Sequence, residues 1–403
     1  MKPAAESWLT PGVRGIGLAS LLSDLGHEVP TALLPSLLTS TLGAPAAALG
    51  LIEGVADGVA GAAKFGGGVL ADDPHRRRAV AVGGYAATAV LTSLIGLAMT
   101  VWQVAVLRVG AWLARGIRGP ARNALLADVT SPGTYGRAYG FERMMDNLGA
   151  VGGPLLALAL VAGIGIRGAI LVSGVFGLAA AGSIVYAIRH IERPVEQQRR
   201  SLRIRVRPLL RGRLGRLWVP VAAFEAGNLA TTLLILRATE LFTPEAGLED
   251  ATTTVLLLYA VHNIVASAVS IPAGRAADRW GYPPVLILGF LSGLVAYLLF
   301  GFAAAPAATT LAFVIAGLTI GLVETAENGA VADAAPDDLR GSAFGLLAAI
   351  QSFGNLVASG IAGLLWTIIS PLAAFLFAAL GMGIALISIL GLGLVNLRST
   401  PTA

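Results

Sequence analysis

The chain has 403 residues, of which 56% are hydrophobic and only 13% are charged, and its mean hydropathy is +0.77. Soluble domains carry about 25% charged residues, so this composition indicates an integral membrane protein. The absence of cysteine excludes disulfides, thiolate metal sites and cysteine nucleophiles. The net charge of +5 comes from arginines beside apolar segments. That pattern orients a protein in a bilayer, so nucleic acid is not predicted as a partner.

Twelve segments are long and apolar enough to cross a bilayer as helices, which takes about 20 residues each. The chain is therefore predicted to be an all-α integral membrane protein with twelve transmembrane helices. The predicted limits are 13–40, 44–71, 79–100, 102–127, 136–163, 167–190, 217–243, 251–276, 284–305, 307–332, 340–370 and 371–396.

The arginines set the predicted orientation and the domain boundaries. The stretch 189–216 holds ten Arg and two Glu, whereas the loop at 240–250 is acidic. Since positively charged loops stay cytoplasmic, we predict a multi-pass protein of the cytoplasmic (inner) membrane with both termini inside. The predicted domains are an N-terminal six-helix bundle (1–190), a basic cytoplasmic linker (191–216) and a C-terminal six-helix bundle (217–403).

An internal repeat joins the two halves. Gly68 and Asp72 stand at the end of the second span, and Gly274 and Asp278 stand 206 residues later at the end of the eighth. Residues 127–149 also match residues 332–354 at an offset of 205. A repeat of this period in a hydrophobic chain indicates a duplicated transporter.

These motifs resemble those of the major facilitator superfamily, over essentially the whole chain. The resemblance implies two pseudo-symmetric six-helix bundles that rock about the loops. It also implies a cytoplasmic gate, in which the glycines allow close helix contact and the charges latch the outward-facing state. We expect the first loop to be the stronger latch, since three arginines follow it. The gate residues are Gly68, Asp72, Arg76, Arg77, Gly274, Asp278 and Arg279.

Span five carries a second motif, formed by Gly149, Gly153 and Pro154. It is similar to the antiporter motif of proton-coupled drug exporters, with Ala157 in place of the last glycine. Proline removes a backbone hydrogen bond and glycine admits a neighbouring helix, so this segment is predicted to be a hinge. Generic packing of small residues is the alternative.

Ionisable side chains inside membrane spans are costly unless they are paired or hydrated, and they usually line a pathway. Asp24, His27 and Glu28 share one face of span one, and Asp57 lies on span two. Arginine does not lose its proton in proteins, so Asp24, Glu28, Asp57 and His27 are the proton-coupling candidates. The alternatives are static salt bridges, or an anionic substrate bound by Arg115, Arg118 and Arg122. No metal site is predicted, since three groups on one helical turn rarely complete one.

Twelve polar side chains within the spans are candidates for lining a substrate cavity. They are Arg115, Arg118, Glu53, Asp146, Asn147, Glu225, Asn228, His262, Asn263, Glu324, Gln351 and Asn355.

Together these features predict a secondary active transporter that moves a small organic molecule by alternating access, as a proton-coupled antiporter working in efflux. No enzyme motif such as H-E-x-x-H, G-x-S-x-G or a P-loop occurs, so the protein is not predicted to be an enzyme, and no cofactor is predicted. The predicted partners are the substrate, protons and the lipid bilayer, and the protein is predicted to be a monomer. The alternatives are an importer or uniporter of an organic anion or a metal or siderophore complex, and a lipid-flippase-like member of the superfamily.

Overall fold

The computed structural model describes residues 8–190, 205–303 and 305–392. Within these residues the secondary structure is helical, and no strand occurs. The helices are α1 (Pro11–Ser36, extended by a π-helical turn Leu37–Thr41), α2 (Ala46–Ala71), α3 (Pro74–Leu94), α4 (Val101–Asp128), α5 (Tyr135–Arg189), α6 (Val206–Leu209), α7 (Gly212–Glu225), α8 (Thr231–Ala246), α9 (Leu248–Trp280), α10 (Tyr282–Phe302), α11 (Pro306–Ala334), α12 (Arg340–Ile368) and α13 (Pro371–Gly391).

The described helices account for the twelve predicted spans. Helix α5 contains two of them, and its backbone leaves the helical conformation at Gly165 (φ 69°, ψ 174°), which only glycine adopts easily. Helices α7 and α8 form one span that is interrupted between Glu225 and Thr231. The predicted all-α membrane fold is confirmed.

Local signals explain several helix starts. Oγ1 of Thr100 accepts a hydrogen bond from the backbone N–H of Gln103, and Oε1 of Gln103 accepts one from the backbone N–H of Thr100. This capping box begins α4. Ser370 accepts from the backbone N–H of Ala373, and Pro371 occupies the first turn of α13. Two residues, Ile369 and Ser370, therefore separate the last two spans.

By length and composition, seven described helices or helix segments are apolar enough to cross a membrane. Helices α1, α2 and α4 are not among them, and these three carry ionisable side chains such as Asp24, Glu53 and Arg115. Burying these groups requires partners within the protein, which the site geometry supplies.

The chain divides into two compact units, and the division does not follow the sequence halves. Unit 1 comprises Met1–Thr134, Met145–Arg205 and Ala335–Ala349. Unit 2 comprises Tyr135–Met144, Val206–Ala334 and Ile350–Ala403. Each unit thus includes the first turns of one helix, α12 or α5, from the other half. The proposed domain limits stay a prediction, and residues 191–204 of the proposed linker lie outside the described residues.

Each unit has its own apolar core. In unit 1, Leu34, Leu37, Ile95, Val104 and Ile170 are buried in one cluster. In unit 2, aromatic rings pack in pairs. Phe300 lies 5.2 Å from Phe313 and 5.5 Å from Phe375 between ring centroids, and Phe224 lies 5.3 Å from Phe290.

Candidate functional site

The repeated aspartates each bind the first turn of a helix. In unit 1, Asp72 accepts hydrogen bonds from the backbone N–H of Ser342 (2.8 Å) and from its hydroxyl. In unit 2, Asp278 accepts from the backbone N–H groups of Gly136 (2.7 Å) and Arg137 (3.1 Å) and from Nε of Arg137 (2.7 Å). The first N–H groups of a helix have no intrahelical partner and attract negative charge. The two aspartates therefore cap α12 and α5, and the residue before α5, Thr134, makes no side-chain cap of its own.

Burial raises the pKa of the Asp72 carboxyl, although the hydrogen bonds from Ser342 oppose the shift. Asp278 has one partner that Asp72 lacks, the guanidinium of Arg137. A stronger latch at the first copy would therefore depend on the arginines around Asp72 and not on more hydrogen bonds to Asp72 itself.

The motif glycines pack directly on the helices that the aspartates cap. A Cβ atom on Gly68 would lie 2.5 Å from the carbonyl oxygen of Gly341 and 2.8 Å from Cα of Gly345. A Cβ on Gly274 would meet the backbone of Gly136 at least as closely. Neither contact leaves room for a side chain, so glycine is required at both copies.

The arginines of the two motifs have different partners. Nη1 of Arg77 donates to both carboxylate oxygens of Asp128 (2.7 and 2.6 Å), and Nε donates to the carbonyl of Ala71 (2.7 Å). Nε of Arg76 lies 3.6 Å from Asp73. The Arg279 guanidinium lies 5.6 Å from the ring of Trp280. The charge network thus centres on Arg77 in the first copy, and Asp128 is one of the repeated acids.

His27 lies between two carboxylates and a guanidinium in unit 1. Its Nδ1 is 3.1 Å from the Ser23 carbonyl and 3.2 Å from Oδ1 of Asp24. Its Nε2 is 2.6 Å from Nη1 of Arg115 and 3.1 Å from Oε1 of Glu28. The structure therefore brings together three of the four proton-coupling candidates and one candidate for substrate binding.

A second ion pair lies next to this cluster. The buried Arg108 donates from Nη2 to Glu53 (2.9 Å), and its guanidinium stacks 3.4 Å from the ring centroid of Trp112. Nε1 of Trp112 donates to the fourth proton candidate, Asp57 (2.8 Å). The Trp112 ring lies 5.9 Å from that of His27. Trp112 thus links the carboxylates of α2 to the histidine of α1.

The other arginines of α4 bind hydroxyl groups of α1. Arg118 is buried, donates to Oγ of Ser23 (2.8 Å) and stacks on the ring of Tyr85 (3.7 Å). Arg122 donates to Oγ of Ser20 (3.1 Å) and lies 3.5 Å from Asp146. Asn147 follows Asp146 on α5 and is half-buried. The four arginines of α4 are therefore each held by a different group.

A small cavity adjoins His27. Its lining includes His27, Tyr85, Thr92 and Ser173. The hydroxyls of Tyr85 and Thr92 are buried and have no hydrogen-bond partner within the described structure. The cavity has room for about one water molecule, and its hydroxyls could bind it.

The glycines of the span-five motif pack against the proton candidates. A Cβ on Gly149 would lie 2.7 Å from Cβ of Asp24, and a Cβ on Gly153 would lie 3.2 Å from Cγ of Glu28. Pro154 lies within a helical stretch, and the break in α5 comes later, at Gly165. These glycines let α5 approach α1 beside the carboxylates. The predicted hinge role stays a prediction.

The candidates in unit 2 form a more amide-rich group. Asn228 donates to Glu225 (3.0 Å), and Asn355 donates to the backbone carbonyl of Asn228 (3.0 Å). Arg143 binds Glu142 (2.8 Å) and lies 3.3 Å from Glu324. His262 and Asn263 are buried on α9, where Asn263 donates to a backbone carbonyl one turn earlier. Gln351 donates to Glu327 (3.0 Å).

Among the described residues, no group of three or more His, Asp and Glu side chains could hold a metal ion. Trp112, Tyr85 and Glu327 are not among the site residues predicted from the sequence, although Glu327 is one of the ionisable side chains within span ten. The spacing of Trp112 four residues after Arg108, on one face of α4, was a usable signal, whereas nothing local pointed to Tyr85.

The sequence matches the family model described as Major Facilitator Superfamily over residues 16–268 and 244–402. The chain belongs to this superfamily. It is 27% identical over 379 residues to an uncharacterized MFS-type transporter of Methanocaldococcus jannaschii, covering 92% of each chain. It is also 29% identical over 146 residues to the class H tetracycline resistance protein of Pasteurella multocida, covering 36% of this chain and 35% of that one.

Solved structures agree on the fold. The crystal structure of a bacterial homologue of the iron transporter ferroportin in an outward-facing state has a TM-score of 0.75 at 15% identity, covering 95% of this chain and 99% of that one. Membership of the superfamily makes the protein a multi-pass membrane transporter and not an enzyme.

Proposed function

We propose that this superfamily member is a monomeric proton-coupled antiporter that exports a small organic molecule across the cytoplasmic membrane, with both termini in the cytoplasm. The observation that carries the proposal is the placement of His27 between Arg115 and two carboxylates. The argument depends on which groups can give or take a proton at that point.

The Nε2 atom of His27 is within reach of two incompatible partners. A guanidinium only donates hydrogen bonds, and a carboxylate only accepts them. In the neutral ring with its proton on Nδ1, Nε2 accepts from Arg115. In the protonated ring, Nε2–H donates to Glu28 and the imidazolium repels Arg115. Uptake of one proton therefore moves the hydrogen bond of Nε2 from Arg115 to Glu28.

This change provides a link to substrate. The side chain of Arg115 is 35% exposed, whereas that of His27 is 4% exposed. Arg115 is a candidate for substrate binding, so releasing it on protonation of His27 alters the charge offered to a ligand. Asp24 and Glu28 hold the protonated form by pairing with it. Proton binding and substrate binding then influence each other through one arginine.

The direction of transport is supported by two features. The tetracycline resistance protein is similar over about a third of the chain, and its name describes resistance to a drug. The glycines of the span-five motif also bring α5 against Asp24 and Glu28, where small changes in helix contact would act on the carboxylates. We further propose that Asp72 and Asp278 hold the cytoplasmic gate and that their helix contacts break and re-form during alternating access.

The test begins with purified protein, tetracycline and a panel of organic cations, zwitterions and anions. Compounds that raise the thermal midpoint, measured at a mildly acidic and a mildly alkaline pH, are bound ligands. Uptake of a hit by proteoliposomes is then measured with an imposed pH gradient in each direction. In antiport, protons leave the lumen as substrate enters, so uptake should be fastest when the lumen is the more acidic side. Proton symport would give the opposite dependence, and uniport would give none.

Three single variants locate the coupling: His27→Gln, Asp24→Asn and Glu28→Gln. Each is expected to uncouple transport from the pH gradient. Asp338→Asn is the matched control, because Asp338 forms an exposed pair with Arg205 away from this cluster. Full proton coupling in all three site variants would overturn the proposal.

A further inference from the structure

Glu327 is a buried acid with only one hydrogen-bond partner. It lies on α11 with 0% of its surface exposed. Its Oε2 accepts a hydrogen bond from Nε2 of Gln351 at 3.0 Å. Its Oε1 is buried and has no hydrogen-bond partner in the described structure. Among the described residues, no cation contacts it.

The internal repeat explains how this arises. At the offset of 205 residues, Glu327 corresponds to Arg122, and Gln351 corresponds to Asp146. In unit 1, Nη1 of Arg122 lies 3.5 Å from Oδ1 of Asp146, which is a pair of opposite charges. In unit 2 the same two positions hold an acid and a neutral amide. The second copy keeps the contact, but an acid stands in the place of the cation and a neutral amide stands in the place of the acid.

The other charges that act on Glu327 are also acidic. They come from Glu225 on α7 and from Glu324 one turn earlier on α11. Glu324 is itself 3.3 Å from Arg143, which also binds Glu142. Arg143 is therefore already shared by two carboxylates. A buried negative charge beside further acids costs several kcal/mol, and a carboxyl group in that setting keeps its proton instead.

We propose that Glu327 is protonated at neutral pH and is a second proton-binding site of the transporter, in the half opposite to His27. The proton is on Oε1, the oxygen that Gln351 does not contact. Gln351 fixes the other oxygen, so the acid has a defined orientation. The claim that this proton is released during transport rests on the proposed proton-coupled function. The claim that Glu327 is protonated does not rest on it.

The direct test is infrared spectroscopy of the purified full-length protein in lipid at neutral pH. A protonated carboxyl has its own C=O absorption, which shifts when H₂O is exchanged for D₂O. Glu327→Gln is expected to remove such a band. Glu324→Gln is the matched control, because Glu324 is one turn away and close to Arg143. Spectra of Glu327→Gln that retain the whole band, or loss of the same band in Glu324→Gln, would overturn the proposal.

A second variant protects the test from misfolding of the first. Gln351→Lys supplies a cation at the position that corresponds to Asp146, and it is expected to ionise Glu327 and abolish the band while the glutamate remains. Persistence of the band in this folded variant would refute the assignment.

Transport separates this proposal from the wider one. In proteoliposomes, Glu327→Gln is expected to reduce the number of protons exchanged per substrate, and Glu327→Asp to restore it. If the infrared band is present but wild-type transport ignores the pH gradient, the antiport proposal fails and the protonated site stands. If transport is proton-coupled but the band is absent, the site fails and the antiport proposal stands.

Discussion

A single methyl group at Gly149 should disturb the proton candidates. In Gly149→Ala, the new Cβ would lie 2.7 Å from Cβ of Asp24 and 2.8 Å from the carbonyl oxygen of Leu21. Ordinary contact between carbon atoms begins near 3.4 Å, so α1 and α5 must separate by about 0.7 Å. Neither neighbouring atom is at the end of a flexible side chain, so the backbone must move.

The size of the effect follows from two opposing contributions. Overpacking of this kind costs about 1–3 kcal/mol, whereas replacing glycine by alanine within a helix gains about 1 kcal/mol. The net result is a loss of stability of up to about 2 kcal/mol. Asp24 and His27 both lie on α1, so a displacement of this helix moves them together and alters the 2.6 Å contact of His27 with Arg115 on α4.

Gly152→Ala is the matched control on the same helix. There the new Cβ would meet only Cδ2 of Leu25 at 2.7 Å, the end of a side chain that can rotate away. Gly152→Ala should keep or raise the thermal midpoint in detergent and should keep transport coupled to protons. Gly149→Ala should lower the thermal midpoint and weaken the coupling. The Trp112 ring lies 5.9 Å from that of His27, so its fluorescence should also report the protonation of His27. The Trp112 signal is obtained by subtracting the spectrum of Trp112→Phe. Equal changes in the two alanine variants would refute this reasoning.

Three further predictions concern buried charges. Arg108→Met should destabilise the protein by about 1.5–3 kcal/mol, because Glu53, whose side chain is 31% exposed, loses its charge-assisted hydrogen bond. In denaturant unfolding, adding Glu53→Gln should recover part of that loss, and equal losses in the single and double variants would contradict the pairing. Asp278→Ala should lower the thermal midpoint more than Asp72→Ala, because it also removes a charge-assisted bond to Arg137, worth about 1.5–3 kcal/mol; the reverse order would count against this. Burial raises the pKa of Asp72, so its contribution to stability is complete below the ordinary carboxyl pKa and is lost as pH rises through the raised value. Asp72→Asn should therefore gain stability relative to wild type across that window in thermal scans, and a difference independent of pH would contradict it.

The helices could be predicted because lipid leaves few alternatives for an apolar segment. The predicted limits at 102–127 and 307–332 fall within α4 and α11. The break at Gly165 also falls between the predicted spans 136–163 and 167–190. The interruption after Glu225, which divides span seven, was not predictable from hydropathy. It depends on a backbone conformation that apolar composition does not encode.

The candidate site was predictable as a set of charges but not as a set of pairs. The spacing of Asp24, His27 and Glu28 placed them on one face, and they do meet Arg115. Partners on other helices depend on packing. Trp112 is an example, since its indole N–H reaches α2. Sequence spacing along one helix carries no information about such contacts.

The repeat explains why the two halves carry different chemistry on a common design. Positions that match across the duplication keep their geometry, as the capped helices at Asp72 and Asp278 demonstrate. Their charges diverge, as the replacement of Arg122 by Glu327 demonstrates. A position that is fixed in space but free in sign can change from a permanent cation to a group that titrates. On the proposed assignment of Glu327, the position that holds a permanent cation in one half therefore holds a proton-binding acid in the other.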